Sequence, residues 1–150
     1  MLLPQTAEYA LRAMAYLARV PSGVAVRAAD LAGEIDVPVH YLSKVLRRLV
    51  GHGLLNATKG HGGGFTLAMS PEHIRFIDVL RASGFGVSGR SQCAFGWGAC
   101  NLERPCPLHT SWSKLNELFM KWTTETTLAD TLESGTGLRP PTDDEKPVAK

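Results

Sequence analysis

The stretch VHYLSKVLRRLVGHG, residues 39–53, confines the fold more than any other part of this 150-residue chain. Val39, Leu42, Leu46 and Leu49 recur at steps of three and four, which lines them along one stripe of a helix. The other side carries His40, Ser43, Lys44 and Arg47 at i, i+3, i+4 and i+7, with Tyr41 and Arg48 flanking, and Gly51 and Gly53 end the run. A helix divided in this way must bury the leucines and leave its cationic side free. The next segment is equally restrictive. LLNATKG and FTLAMS are two short strand-like runs joined by HGGG, which predicts a β-hairpin with a glycine-rich, basic tip.

Two helices precede this pair. In TAEYALRAMAYLARV, Ala7, Ala10, Leu11, Met14, Leu17 and Ala18 form one apolar face, and PSG at 21–23 ends it. RAADLAGEI turns Leu31, Ala32 and Ile35 inward, and Asp36 and Pro38 then punctuate the chain, with Pro38 suited to the first turn of the next helix. After the hairpin, IRFIDVLRA returns to helical periodicity through Ile74, Ile77, Val79 and Leu80. From Gly84 to Pro105 no regular pattern appears, and a structureless loop of that length in a small domain is usually functional or disordered. Beyond it Leu108, Trp112, Leu115, Phe119 and Trp122 follow a 4-3-4-3 seam, which needs either the first domain or the same helix of a second subunit as partner. We read it as a dimer helix. The closing GTGLRPPTDDEKPVAK is polar and proline-rich, with the composition of a disordered tail.

The net charge is only +2, but it is unevenly spread. Residues 37–61 hold Lys44, Arg47, Arg48, Lys59 and three histidines (His40, His52, His61) without a single acid, whereas residues 125–150 hold six acids against three bases. A local basic patch on a nearly neutral chain implies a surface that meets an anion. No apolar run approaches a membrane span. The N-terminus is interrupted by Glu8 and Arg12 and lacks a basic start and a cleavage site, so no signal peptide is expected. With three cysteines, an odd number for a secreted disulfide framework, the chain is expected to be cytoplasmic and reduced. An enzyme is disfavoured: there is no nucleophile–base set, no phosphate-cradling loop followed by lysine, and no paired carboxylates.

Three helices and a basic-tipped hairpin form the pattern of a winged helix-turn-helix, in which the third helix enters the major groove of DNA. Ser43, Lys44 and Arg47 stand where base and phosphate contacts are made, with His40, Tyr41 and Arg48 around them. Lys59 and His61 on the wing, and Arg27 at the start of the second helix, complete the expected contact set. The segments VPVHYLSKVLRRL (37–49), GLL (53–55) and KGHGGGFTL (59–67), with TAEYALRAMAYLA near the start and TLADTL at 127–132, resemble the IscR/NsrR/RirA regulators of the Rrf type. The resemblance runs from residue 1 to about 133. It implies a mainly α fold with a small β-hairpin wing and a long C-terminal dimerisation helix. It also implies a homodimer on a pseudo-palindromic promoter site. The expected divisions are a winged helix-turn-helix domain (1–83), a cluster-binding loop (84–106), a dimerisation helix and closing segment (107–133) and a disordered tail (134–150). Lys59 stands where members often have arginine, and Ser43 replaces a larger polar residue, so the operator is not readable from the chain.

All three cysteines lie in CAFGWGACNLERPCPLH, spaced C-x6-C-x5-C, with His109 three positions beyond Cys106. Zinc takes thiolates and imidazole, but its structural sites usually carry a C-x2-4-C pair that is absent here. A regulatory disulfide leaves one thiol over. Iron–sulfur clusters tolerate wider spacings, and unliganded thiols are the remaining reading. Cys93, Cys100 and Cys106 match the three loop cysteines of the resembled family, which implies an iron–sulfur cluster. CPLHTSW is similar to the IscR segment whose histidine is the fourth ligand of a 2Fe–2S cluster. His109, on helical i, i+3 spacing from Cys106, is therefore the first choice, and 2Fe–2S is preferred over 4Fe–4S. Glu8 is the rival, since NsrR-like members take a carboxylate ligand from that region. The function expected is promoter affinity controlled by cluster state, sensing iron–sulfur status, redox state or nitric oxide. A cluster-free regulator of the same fold and a small electron-transfer protein are the alternatives.

Overall fold

A computed structural model describes residues 3–86 and 93–133. The tail 134–150 and the 87–92 part of the expected cluster loop lie outside the described residues. The element order is α1 (Gln5–Leu17), α2 (Ala28–Glu34), α3 (Val39–Gly51), β1 (Leu55–Thr58), β2 (Gly64–Leu67), α4 (Phe76–Ala82), α5 (His109–Glu125) and α6 (Asp130–Glu133), with a short 3-10 turn at Pro71–His73. This is the expected mainly α, winged arrangement. No described helix is long and apolar enough to cross a membrane.

The core forms where the apolar faces of α1 to α4 meet. Ala10, Ala13, Met14 and Leu17 of α1 close on Leu31 and Ala32 of α2, on Leu42, Val45, Leu46 and Leu49 of α3, and on Val79 of α4. Each fully buried leucine here stabilises the fold by roughly 1.5–3 kcal/mol. One member of the expected stripe is misplaced: Val39 is 45% exposed, and Val45 takes its place in the core. The cause is position. Val39 is the first residue of α3, one turn short of the point where α1 packs, whereas Val45 lies on the stripe between Leu42 and Leu49. Leu11 and Ala18 of α1 are likewise only half-buried, at the edge of the cluster.

The α2–α3 turn depends on Asp36, which adopts the left-handed conformation at φ 52°, while the Val37 N–H donates to the Ala32 carbonyl at 3.0 Å. Aspartate tolerates this region better than most residues, so it ends α2 where glycine would be usual. The wing is an antiparallel pair registered Leu55↔Leu67 to Thr58↔Gly64. Its glycines serve close approach. A Cβ on Gly63 would fall on the Thr58 carbonyl, and one on Gly64 would meet the Val26 carbonyl, with which the wing forms a bridge at Val26↔Phe65.

After α5 the chain returns to the first domain. Phe76 N–H donates to Thr126 O and Leu128 N–H to Ile74 O, each at 2.9 Å, and Leu128 is fully buried in the core of α1–α4. The Thr127 N–H donates to Asp130, and this bond holds the Asp130 carboxyl below the usual carboxylate range. The closing segment thus belongs structurally to the winged domain rather than to the helix before it.

We predict that Leu46→Ala destabilises the protein by about 2–5 kcal/mol, whereas Val39→Ala changes stability by less than about 0.5 kcal/mol. Urea unfolding of the two variants checks both; an equal loss would show that Val39 is a core residue after all.

Candidate nucleic-acid interface and cysteine loop

Because the leucine stripe anchors α3 on its inner side, the helix presents the opposite side to solvent. His40, Tyr41, Lys44 and Arg47 are exposed there, Tyr41 at 52%. His40 and Tyr41 rest on one another, with ring centroids 4.4 Å apart. The Ser43 hydroxyl donates back to the Val39 carbonyl at 2.8 Å, so its proton is engaged while its lone pairs stay available. Lys59 and His61 occupy the exposed wing tip, and Arg27, exposed, is the N-cap of α2. No acidic side chain forms an ion pair with any of these cations among the described residues; the two ion pairs there join Asp78 to Arg75 and Arg81.

Arg48 is placed differently from its neighbours. Its Nη1 donates to the Ser83 carbonyl at 2.9 Å, at the end of α4. Together with Tyr41 and Lys44 it also lines a cleft of about 210 Å³ whose far wall is Gln5, Thr6 and Tyr9 of α1. These α1 residues are an addition to the face expected from the sequence. Nothing in their local sequence marks them, because only the packing of α1 across α3 brings them there.

The described parts of the loop, residues 84–86 and 93–105, contain no helix or named strand, as the missing periodicity predicts. Cys93, Cys100 and Cys106 are free and half-buried. A tight turn surrounds the first: the Cys93 N–H donates to Gly98 O at 2.7 Å and the Gly96 N–H to Cys93 O at 2.8 Å. The Phe95 backbone amide holds the Cys93 thiol below its ordinary pKa against the opposing effect of burial, with the Trp97 amide and the Cys106 side chain adding to the lowering. Amides aimed at a sulfur in this way favour the thiolate, the form that ligates metals. The donor chemistry therefore fits an iron–sulfur group. Among the described residues, however, no three His, Cys, Asp or Glu side chains converge on a point that would hold a single metal ion.

Cys106 lies outside α5, so the helical relation expected between Cys106 and His109 is instead a turn, closed by the His109 N–H to Cys106 O bond at 2.9 Å. Cys106 stays outside the helix because it precedes Pro107, whose ring disfavours the helical conformation in the residue before it. His109 opens α5, half-buried, with Nε2 3.4 Å from the Ser113 hydroxyl. Glu8 is half-buried in the first turn of α1.

The expected seam on α5 divides. Phe119 makes an edge contact with Phe85 at 6.0 Å and Trp122 with Phe76 at 5.4 Å, so these two pack back on α4 and the turn that follows it. Leu108 and Leu115 remain 45% and 46% exposed, and Leu118, which the seam pattern does not include, is 67% exposed. Thr123 is the sole buried residue of this 17-residue helix.

The match to a family model covers residues 3–134 and is described as Rrf2, an iron-dependent transcriptional regulator. The chain is 30% identical over 139 residues to the transcriptional regulator NsrR of Geobacillus kaustophilus, covering 93% of this chain and 95% of that one. Two solved structures share the fold. CymR of B. subtilis, its global cysteine regulator, superposes with a TM-score of 0.73 at 23% identity, over 91% of this chain and 98% of the other. IscR of T. potens gives 0.70 at 23% identity, over 91% and 89%. With an exposed basic helix and a wing in place and the family matched over nearly all the described residues, the chain belongs to the Rrf2 family of DNA-binding transcriptional regulators and is not an enzyme.

Proposed function

We propose that this regulator is a homodimer whose affinity for a pseudo-palindromic promoter site is set by an iron–sulfur cluster on Cys93, Cys100 and Cys106. The observation that carries the reading is the amide-cradled Cys93 thiol, in a loop between the winged domain and α5. His109 is the preferred fourth ligand and 2Fe–2S the preferred cluster, with Glu8 of α1 the alternative ligand. When bound, the cluster supplies a redox-active, acid-labile group whose gain or loss reports iron–sulfur status, redox state or nitric oxide. The protein's own residues do the rest. The backbone amides of Phe95 and Trp97 lower the Cys93 pKa and so favour its thiolate. Residues 1–83 act as the reading unit, 84–106 as the sensing loop and 107–133 as dimer helix and clasp, in a protein expected to work in the cytoplasm.

On the DNA side, α3 enters the major groove with His40, Tyr41, Ser43, Lys44 and Arg47 toward bases and phosphates. Lys59 and His61 of the wing and Arg27 of α2 meet the backbone. Two reading helices on one duplex require two copies at fixed spacing, and the exposed Leu115 and Leu118 of α5, with Leu108 just before it, are the surface that holds the copies together. A second reading is favoured by one observation: the Cys106 side chain lies near enough to Cys93 to help lower its pKa. In it the loop works as a cluster-free thiol switch on the same fold.

Anaerobic purification with iron and sulfide counting separates the two readings. Coloured protein with stoichiometric sulfide, lost in Cys93→Ala, Cys100→Ala and Cys106→Ala, is expected; iron-free, colourless protein prepared that way refutes the cluster. His109→Ala should alter the visible spectrum while Glu8→Ala leaves it unchanged, and the reverse result assigns the ligand to Glu8. Lys44→Ala and Lys59→Ala should each weaken duplex binding across sequences and reduce the log–log salt slope by about 1, measured by fluorescence anisotropy. Leu115→Asp with Leu118→Asp should convert a dimer to a monomer by light scattering. A dimer that survives both changes would move the interface elsewhere.

A further inference from the structure

Arg48 sits on the reading helix but makes its hydrogen bond on the far side of the domain. Its Nη1 meets the Ser83 carbonyl, 35 residues away in sequence. Ser83 ends α4 and is 3% exposed. A helix leaves its last carbonyls without intrahelical partners, and a buried one left unpaired is costly. Here the Val79, Leu80, Arg81 and Ser83 carbonyls each have a donor. The Ser83 hydroxyl and the Phe85 N–H serve the Leu80 carbonyl at 2.7 and 3.1 Å, the Gly84 N–H serves Arg81 at 3.0 Å, and Arg48 serves Ser83 itself. A cation at this end also complements the helix dipole. Gly84 turns the chain with φ at +88°, and a Cβ there would stand 2.9 Å from Arg48 Nη1, so the guanidinium rests against the turn as well as bonding to it.

The next residue leads outward. Phe85 packs edge-on against Phe119 of α5 at 6.0 Å. A continuous physical path therefore runs from α3 through Arg48 to the α4 cap, through Phe85 to α5. The chain toward the three cysteines departs from that same cap.

We infer that Arg48 is a positioning residue that couples the reading helix to the root of the cysteine loop, and is not a phosphate contact like Lys44. The inference deepens the proposed function and rests on the loop being the sensing element. A shift at residues 83–85, on either side of the cap, reaches α3 through the Arg48–Ser83 bond. Without that bond the protein still reads DNA but answers the loop less.

The test uses the full-length dimer and a fluorescent duplex that it selects from a random-sequence pool. Affinities of wild type, Arg48→Ala and Arg48→Lys are measured over a salt series, in cluster-loaded and cluster-free forms, with circular dichroism melts to confirm folding. Arg48→Ala should leave the salt slope unchanged while narrowing the loaded-to-free affinity ratio by roughly 3- to 10-fold, and Arg48→Lys should narrow it less. A slope reduced by about 1 with an intact ratio would make Arg48 a phosphate contact and overturn the inference. If wild type shows no difference between loaded and free forms, cluster control fails. The coupling is then judged on cluster-free protein alone, by a double-mutant cycle of Arg48→Ala with Phe85→Ala in duplex affinity. Non-additivity beyond about twofold sustains the coupling, and additivity overturns it.

Discussion

The burial of Leu42, Leu46 and Leu49 against α1 is the interaction on which the rest depends. It fixes the rotation of α3 about its own axis. Once the leucines point inward, Lys44 and Arg47 have no place but the solvent, and the same helix that completes the core becomes a cationic surface. On the proposed function, stability and DNA reading are in this sense two sides of one helix. A substitution that loosened the inner stripe would blur the outer one, because the orientation of α3 in the domain is set by how that stripe packs.

A second constraint comes from the end of the chain. Leu128 enters the core of the winged domain and the segment around it pairs with residues 74–76, so the C-terminal end of α5 is clasped to that domain. A helix tethered so closely passes movement on to the domain it leaves. Its half-exposed leucines can then join a second copy while Phe119 and Trp122 keep it registered on α4. On the proposed function, this tethering would let a change in the loop reach both a second copy on α5 and the exposed face of α3 without a large motion.

Much of this is legible in the residues. The alternation along α3, the inward positions of α2 and α4, the hairpin and its glycines, and the irregular run after Gly84 all follow from local periodicity and turn chemistry, which act within a few residues. Val39 departs from its expected place because periodicity marks a stripe but not where a neighbouring helix begins to cover it. The Cys106–His109 relation departs from the helical one because spacing alone cannot say where a helix starts, and Pro107 disfavours helical geometry at Cys106. The seam on α5 is legible as apolar, but not its division between α4 and open surface.

What the sequence alone determined is the inventory: an acid-free basic helix and wing, three cysteines in a glycine-rich loop, and an apolar seam after it. These are properties of neighbours along the chain, and the chemistry of each side chain is enough to read them. Only the tertiary structure decided which groups meet across it. Arg48 finds Ser83, Gln5 and Tyr9 find Tyr41, Leu128 finds the core, and Phe85 finds Phe119. Those pairings depend on how helices separated by tens of residues cross, and no local pattern carries the angle at which they do.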